Sequence, residues 1–132
     1  LDDGLRDADV VSLHVPLTNA TRHLIGAPQL ALLPPGAIVV NTARGGLIDE
    51  AALLASVRNG HLRGAGLDTF EVEPLPADSP LLLERRIVLS PHSAALTEEA
   101  LIAMGRTTVA NALAGIDGTL DRALVANPAV LS

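Results

Sequence analysis

"GAIVVNTARGGLIDEAALLASVRNGHLRGAGLDT", Gly36 to Thr69, holds two apolar runs on either side of a polar turn and a helical stretch. The runs at 37–41 ("AIVVN") and 65–69 ("AGLDT") read as strands, being short, continuous and bounded by glycine or proline. Asp49 is placed to cap a helix of about ten residues that has Arg58 in its last turn and Asn59-Gly60 as a stop. A strand, a helix and a second strand in this compass form the crossover unit of a parallel sheet. Within it, Arg44 sets a strongly hydrated guanidinium where a strand ends, just before Gly45-Gly46.

Working outward, the same alternation continues. Residues 1–9 read as the end of a short helix, and "VVSLHV" (10–15) is a β-branched run stopped by Pro16. The loop "PLTNATRH" leads to a short helical stretch over 28–33, broken by "PPG" at 34–36. After the strand at 65–69 come a proline-rich loop, "EVEPLPADSP", and a fourth strand, "IVLS" (87–90). Thr97-Glu98-Glu99 opens the longest helix, running to about Gly115 with its acids where the helix dipole favours them. The tail from 116 reads as irregular or as a short strand. The fold class is therefore α/β: a partial doubly wound parallel sheet, expected to carry helices on both faces because its strands are unbroken apolar runs. An antiparallel α+β domain is the alternative.

Composition narrows the function classes. The 132 residues fit one domain, and at 48% hydrophobic they can bury a real core. That core is aliphatic, because Phe70 is the one residue among Phe, Tyr and Trp. Net charge is −6, lysine is absent, and the nine Lys+Arg residues are scattered arginines, so no basic, aromatic-rich footprint for nucleic acid exists. No stretch has the length and apolarity to span a membrane, and no signal-peptide pattern opens the chain. With zero cysteines, disulfides, zinc–thiolate sites and thiol catalysis are excluded. The expectation is a cytoplasmic domain. The chain starts at Leu1 in mid-pattern and reads as a piece of a longer protein.

In open α/β sheets ligands bind beyond the carboxyl ends of the strands, and that is where polar residues interrupt this sequence. The strands end at His14-Val15-Pro16, at Asn41-Thr42-Ala43-Arg44, at Asp68 with Glu71 and Glu73 behind it, and at Ser90-Pro91-His92. Each residue also has a plain structural reading. Arg44 would pair with Asp49 or Glu50 on the surface, and Asp68 would cap the following turn. Glu71 and Glu73 would be loop charges, and His92 and His14 packed or capping residues; His23 and His61 are assigned nothing. A serine nucleophile elbow, G-x-S-x-G, does not occur. The spacing of Asp68, Glu71, Glu73 and His92 matches no standard metal-ligand signature. Neither phosphate-binding loop is present: "GAGLDT" (64–69) has Thr69 where G-x-G-x-x-G needs glycine, and it leads into a strand. What remains is an Arg–Glu–His set beside an aspartate, suited to acid–base chemistry on a small anion.

"DVVSLHVPLTNATRHLIG", "NTARGGLIDEAALLASVRNGHLRGAGLDTFEVEPLP" and "VLSPHSA" closely resemble the D-isomer-specific 2-hydroxyacid dehydrogenases, from about Asp9 to Ala95. The resemblance implies that Arg44 holds the substrate carboxylate and keto oxygen, that His92 is the general acid/base, and that Glu73 is its carboxylate partner. It implies that Asp68 hydrogen-bonds the nicotinamide carboxamide. Pro16, Thr42, Ala43, Ala94 and Ala95 would line the cofactor, the last two where many members carry glycine, with Arg44 and His92 beside it. Formate dehydrogenases carry glutamine at the position of Glu73, so the glutamate separates this chain from them. The implied cofactor is NAD, with NADP left open, and the implied partners are a small 2-hydroxy or 2-keto acid and a second subunit of a homodimer. No metal is implied. The family's G-x-G-x-x-G and most of its substrate domain are missing from this sequence. Residues 1–115 are accordingly expected to be the second half of a dinucleotide-binding domain, and 116–132 a return segment toward the substrate domain. Alone the chain is expected not to turn over substrate, lacking the helix N-terminus that holds pyrophosphate. A corepressor-like, NAD(H)-sensing interaction protein on the same fold is the alternative function.

Overall fold

The computed structural model describes residues 1–131 and places them in two compact units, residues 1–94 and the segment from Ala95 onward. In the first unit, strands β1 (Val10–Leu13), β2 (Ile38–Asn41), β3 (Gly64–Leu67) and β4 (Ile87–Leu89) form one sheet in the order β1-β2-β3-β4. Every neighbouring pair is parallel, which decides against the antiparallel alternative. Helix α1 (Asp2–Arg6) precedes β1, α2 (Ala27–Leu32) joins β1 to β2, and α3 (Glu50–Arg58) joins β2 to β3. The long loop from β3 to β4 contains a 3-10 turn, Pro80–Leu83, which the sequence reading leaves as loop.

Local chemistry accounts for these boundaries. Asp49 Oδ1 accepts from the Ala52 amide at 2.9 Å and caps α3, as its place in the sequence suggests. α2 starts on Ala27 and Pro28, where the missing proline N–H costs no helical bond. β1 and β3 each stop two residues short of the expected ends, so His14, Val15, Asp68 and Thr69 lie just beyond the sheet ladder. That places Asp68 in the loop at the carboxyl edge.

The register sets Val11, Val39, Ala65 and Ile87 in one cross-strand row and Leu13, Asn41, Leu67 and Leu89 in another. These rows share a face, and Leu13, Val39, Asn41, Ala65, Leu67 and Ile87 are buried there. Under them lie Ile25, Leu30, Leu47, Ile48, Leu53, Val57 and Leu62, each at most 1% exposed. Each such aliphatic side chain stabilises the fold by about 1.5–3 kcal/mol. The intervening row, Ser12, Val40, Gly66 and Val88, is half-buried to exposed, and Val88 reaches 72%. Within this unit α1 packs on α2 and α2 on α3. The expected cover on both faces is thus seen here on one face, because the strands are apolar on both sides while only one side is buried.

The second unit holds α4 (Glu98–Ile116), where Thr97 Oγ1 accepts from the Ala100 amide at 3.2 Å to cap the helix. Its large apolar side chains, Leu101 to Ile116, are all about half exposed or more. The tail forms two 3-10 turns, Arg122–Leu124 and Pro128–Leu131, in place of the irregular segment or strand expected. Among the described residues no helix is long and apolar enough to cross a membrane.

Candidate active site at the carboxyl edge of the sheet

Asn41 is the buried last residue of β2, and its side chain builds the turn that follows. Its Nδ2 donates to the Arg44 carbonyl at 2.8 Å and its Oδ1 accepts from the Ala43 amide at 3.1 Å. The chain then passes through a 3-10 turn, Gly45–Leu47, in which Gly45 is packed directly against the Phe70–Glu71 peptide. The loop that follows β2 and the loop that follows β3 are therefore in backbone contact. Arg44 projects from this junction, and its Nη1 donates to the Ala43 carbonyl at 2.6 Å. The surface pairing considered for it is not formed. Asp49 is occupied by the helix cap, while Glu50 accepts from the Glu71 amide and Glu71 from the Glu50 amide.

Glu73 divides its carboxylate between two donors. Oε1 accepts from the Phe70 amide at 2.9 Å and Oε2 from His92 Nδ1 at 2.8 Å. The His92 bond, then the Phe70 amide, outweigh burial and hold the Glu73 carboxyl below the ordinary carboxylate range, with Arg44 adding its charge. Because an ionised Glu73 can only accept, Nδ1 is the hydrogen-bond donor and keeps its proton, and Nε2 is the free atom of the imidazole.

His92 itself sits at φ 53°, in the left-handed region that non-glycine residues rarely adopt. What holds it there is Asp68, which is 3% exposed. Asp68 Oδ1 accepts from the Ser90 hydroxyl and from the Ser93 amide at 2.8 Å, and Oδ2 accepts from the Ala94 amide at 2.9 Å. The aspartate thus grips the turn on both sides of His92. Burial works against its charge, but the bonds from Ser90, Ala94 and Ser93 outweigh it and lower the pKa. A depressed folded-state pKa contributes stability above the ordinary carboxylate range, and that stability is lost as pH falls through the lowered value. Asp68→Ala should therefore cost about 2–4 kcal/mol near neutral pH, the loss of several hydrogen bonds to a buried charge. Thermal unfolding of the variant against the parent at neutral and acid pH checks this, with the gap narrowing in acid.

Arg44, Glu73 and His92 line one recess of about 320 Å³. The other faces of Glu73 and His92 line an apolar cleft of about 630 Å³ formed by Phe70, Pro74, Leu75, Leu89 and Pro91. A third hollow, about 660 Å³, lies between the ends of β1 and β2 and is lined by His14, Pro16, Ala43 and Arg44. Thr42 is exposed beside it. Ala94 is exposed at the end of the Asp68 grip, and Ala95 begins the second unit. The histidines given no role are accounted for locally: His14 bonds Ser12, His61 Nε2 meets the Leu30 carbonyl, and His23 Nε2 lies 3.2 Å from Glu71. Asn41 and Ser90 stand among the strand ends read from the sequence but are given no role there. A buried polar strand end (Asn41) and a hydroxyl two residues before the histidine (Ser90) were the available signals.

A family model for the D-isomer specific 2-hydroxyacid dehydrogenase NAD binding domain matches residues 1–94. Glyoxylate/hydroxypyruvate reductase B of Enterobacter agglomerans is 43% identical over 131 residues, 99% of this chain and 40% of that protein. The crystal structure of the TT0316 protein from Thermus thermophilus superposes with a TM-score of 0.85 at 42% identity, covering 90% of this chain and 38% of the other. A D-isomer specific 2-hydroxyacid dehydrogenase from Xanthobacter autotrophicus Py2, solved in complex with NADPH and MES, gives 0.68 at 48% identity over 70% of this chain and 29% of the other. The chain belongs to the D-isomer-specific 2-hydroxyacid dehydrogenase family, in the part that forms its NAD-binding domain. It spans about 40% of the length of the reductase it matches.

Proposed function

We propose that this chain forms the reaction edge of an NAD(P)-dependent D-2-hydroxyacid dehydrogenase acting on a small 2-hydroxy or 2-keto acid. One observation carries the reading: Arg44, a guanidinium without a carboxylate partner among the described residues, and the His92–Glu73 pair line the same recess. Arg44 binds the substrate carboxylate through its planar fork. His92 gives a proton from Nε2 to the oxygen of the keto group during reduction and takes it back during oxidation. Glu73 keeps the other imidazole proton on Nδ1, which aims Nε2 into the recess. Asp68 holds His92 at the required place.

The residues at the edge fit a nicotinamide. Pro16 and Ala43 leave a broad hollow beside Arg44, and Asp68 Oδ2 accepts a single hydrogen bond, so it retains capacity for a carboxamide N–H. The cofactor, when bound, supplies or accepts the hydride; Thr42, Ala94 and Ala95 complete its lining in this reading. Residues 1–115 act as the second half of the dinucleotide-binding domain, and 116–132 as the return toward a substrate domain. The open apolar row at Val40 and Val88 supports this, being a face suited to cover by the other half. A cytoplasmic homodimer is the proposed setting.

Steady-state kinetics of Arg44→Ala in the full-length enzyme carrying this chain tests the clamp. KM for the keto acid should rise by about tenfold or more, the worth of a charge-assisted contact, while KM for the reduced cofactor changes far less. Equal effects on both would remove Arg44 from the substrate.

A further inference from the structure

The recess that holds Arg44, Glu73 and His92 has a second guanidinium on its wall, Arg22. Its placement is specific. Arg22 Nη1 lies over the α-carbon of Gly46, where a β-carbon would stand 3.2 Å from it. It therefore packs on the turn that carries Arg44. The segment that bears it is fixed at several points. The Arg22 amide donates to the Thr18 carbonyl at 2.9 Å, and Thr21 Oγ1 donates to the Pro16 carbonyl at 2.7 Å. The next residue, His23, donates its amide to the Gly46 carbonyl at 2.8 Å. A side chain on so constrained a backbone loses less freedom on binding than one on an open loop.

Among the described residues, neither arginine is paired with a carboxylate. The two acids on the same wall have other partners: Glu73 is held by His92 and Phe70, and Glu71 by His23 and the Glu50 amide. With those carboxylates held by other donors, both guanidiniums keep N–H groups available for an anion that enters the recess. A simple keto acid offers one carboxylate, which the proposed reading gives to Arg44. Arg22 is left over.

We propose that Arg22 reads a second anionic group, so that the preferred substrate is a 2-keto or 2-hydroxy acid with a carboxylate, sulfonate or phosphate at its far end. This rests on the proposed dehydrogenase reading and specifies the substrate class of the same site. Arg22 is then a specificity-determining residue. Gly46 belongs to the device, because its missing side chain makes room for the guanidinium.

The test compares kcat/KM in the full-length enzyme for pyruvate against oxaloacetate, 3-sulfopyruvate and 3-phosphohydroxypyruvate, which share its three-carbon core and add one anion each. At least one of the three should exceed pyruvate by about tenfold or more, the discrimination of one charge-assisted bond. The best of them identifies the group. In Arg22→Ala that ratio should fall close to one, and Arg22→Lys should keep part of it. Added salt should erode the ratio in the parent, because the contact is exposed. Pyruvate turned over as well as all three acids with a second anionic group, or a ratio unmoved in Arg22→Ala, would overturn the assignment while leaving the dehydrogenase reading intact. Failure to reduce any of the four acids would overturn both.

Discussion

Alanine in place of His92 is expected to lower kcat by about 10²–10⁴-fold, the usual contribution of a positioned general acid/base. KM for the keto acid should change little, because Arg44 remains. The effect is large because the proposed reaction gives the proton transfer to Nε2 of His92, while Nδ1 is committed to Glu73. The same position is a burden on the fold, since the backbone there stands at φ 53°. His92→Gly should therefore lose turnover as fully as the alanine variant while unfolding at an equal or higher temperature. A pair of variants equally inactive but ordered this way in stability separates lost chemistry from lost structure. Turnover unimpaired in either would remove His92 from the reaction.

The largest loss of stability should come from Gly45→Ala. A β-carbon there would overlap the carbonyl of Phe70 and the amide of Glu71, both backbone groups that cannot step aside. The contact joins the loop of Arg44 to the loop of Glu73, so strain at Gly45 reaches both halves of the recess. A cost above about 3 kcal/mol is expected, with a fall in Tm of more than about 10 °C. Gly46→Ala offers the contrast. Its β-carbon would meet only side-chain ends, Leu17 Cδ2 at 3.1 Å and Arg22 Nη1 at 3.2 Å, which can move. Its cost in stability should be under about 1 kcal/mol. Calorimetry on the two variants checks the difference, and similar Tm values would show that the two loops are not locked together at Gly45.

Much of this architecture was legible in the chain. The short apolar runs bounded by glycine and proline correspond to the parallel strands, and Asp49 and Thr97 stand where they cap helices. The carboxyl edge was legible because charge interrupts apolar text at each strand end, and Arg44, Glu73 and His92 do share one recess. Other features depend on distances between loops, which residue types do not encode. Asp68 reads as a turn cap, yet its donors come from 90–94, over twenty residues away. Glu71 reads as a solvated charge, yet its carboxylate accepts from the Glu50 amide at the start of α3 while its own amide donates to the Glu50 carboxylate, and burial, then the charge of Glu71, keep the Glu50 carboxyl above its ordinary range. Arg22 sits in plain loop sequence and gains meaning only from lying over Gly46. The one-sided burial of the sheet was hidden for the opposite reason. Val10, Val40 and Val88 are as apolar as the buried rows, so sequence reports the cover those residues are suited to rather than the cover seen in this unit.

Reduction of a 2-keto acid with D stereochemistry, at the edge formed by Arg44, Glu73 and His92, is tested most directly by isotope transfer. The full-length enzyme is followed with a keto acid and reduced nicotinamide cofactor deuterated at the transferable position. The expected result is consumption of the cofactor matched by a D-2-hydroxy acid bearing one deuterium at C2, with the signal lost in His92→Ala. Product of L configuration, product without deuterium, or equal product from the His92 variant would contradict it.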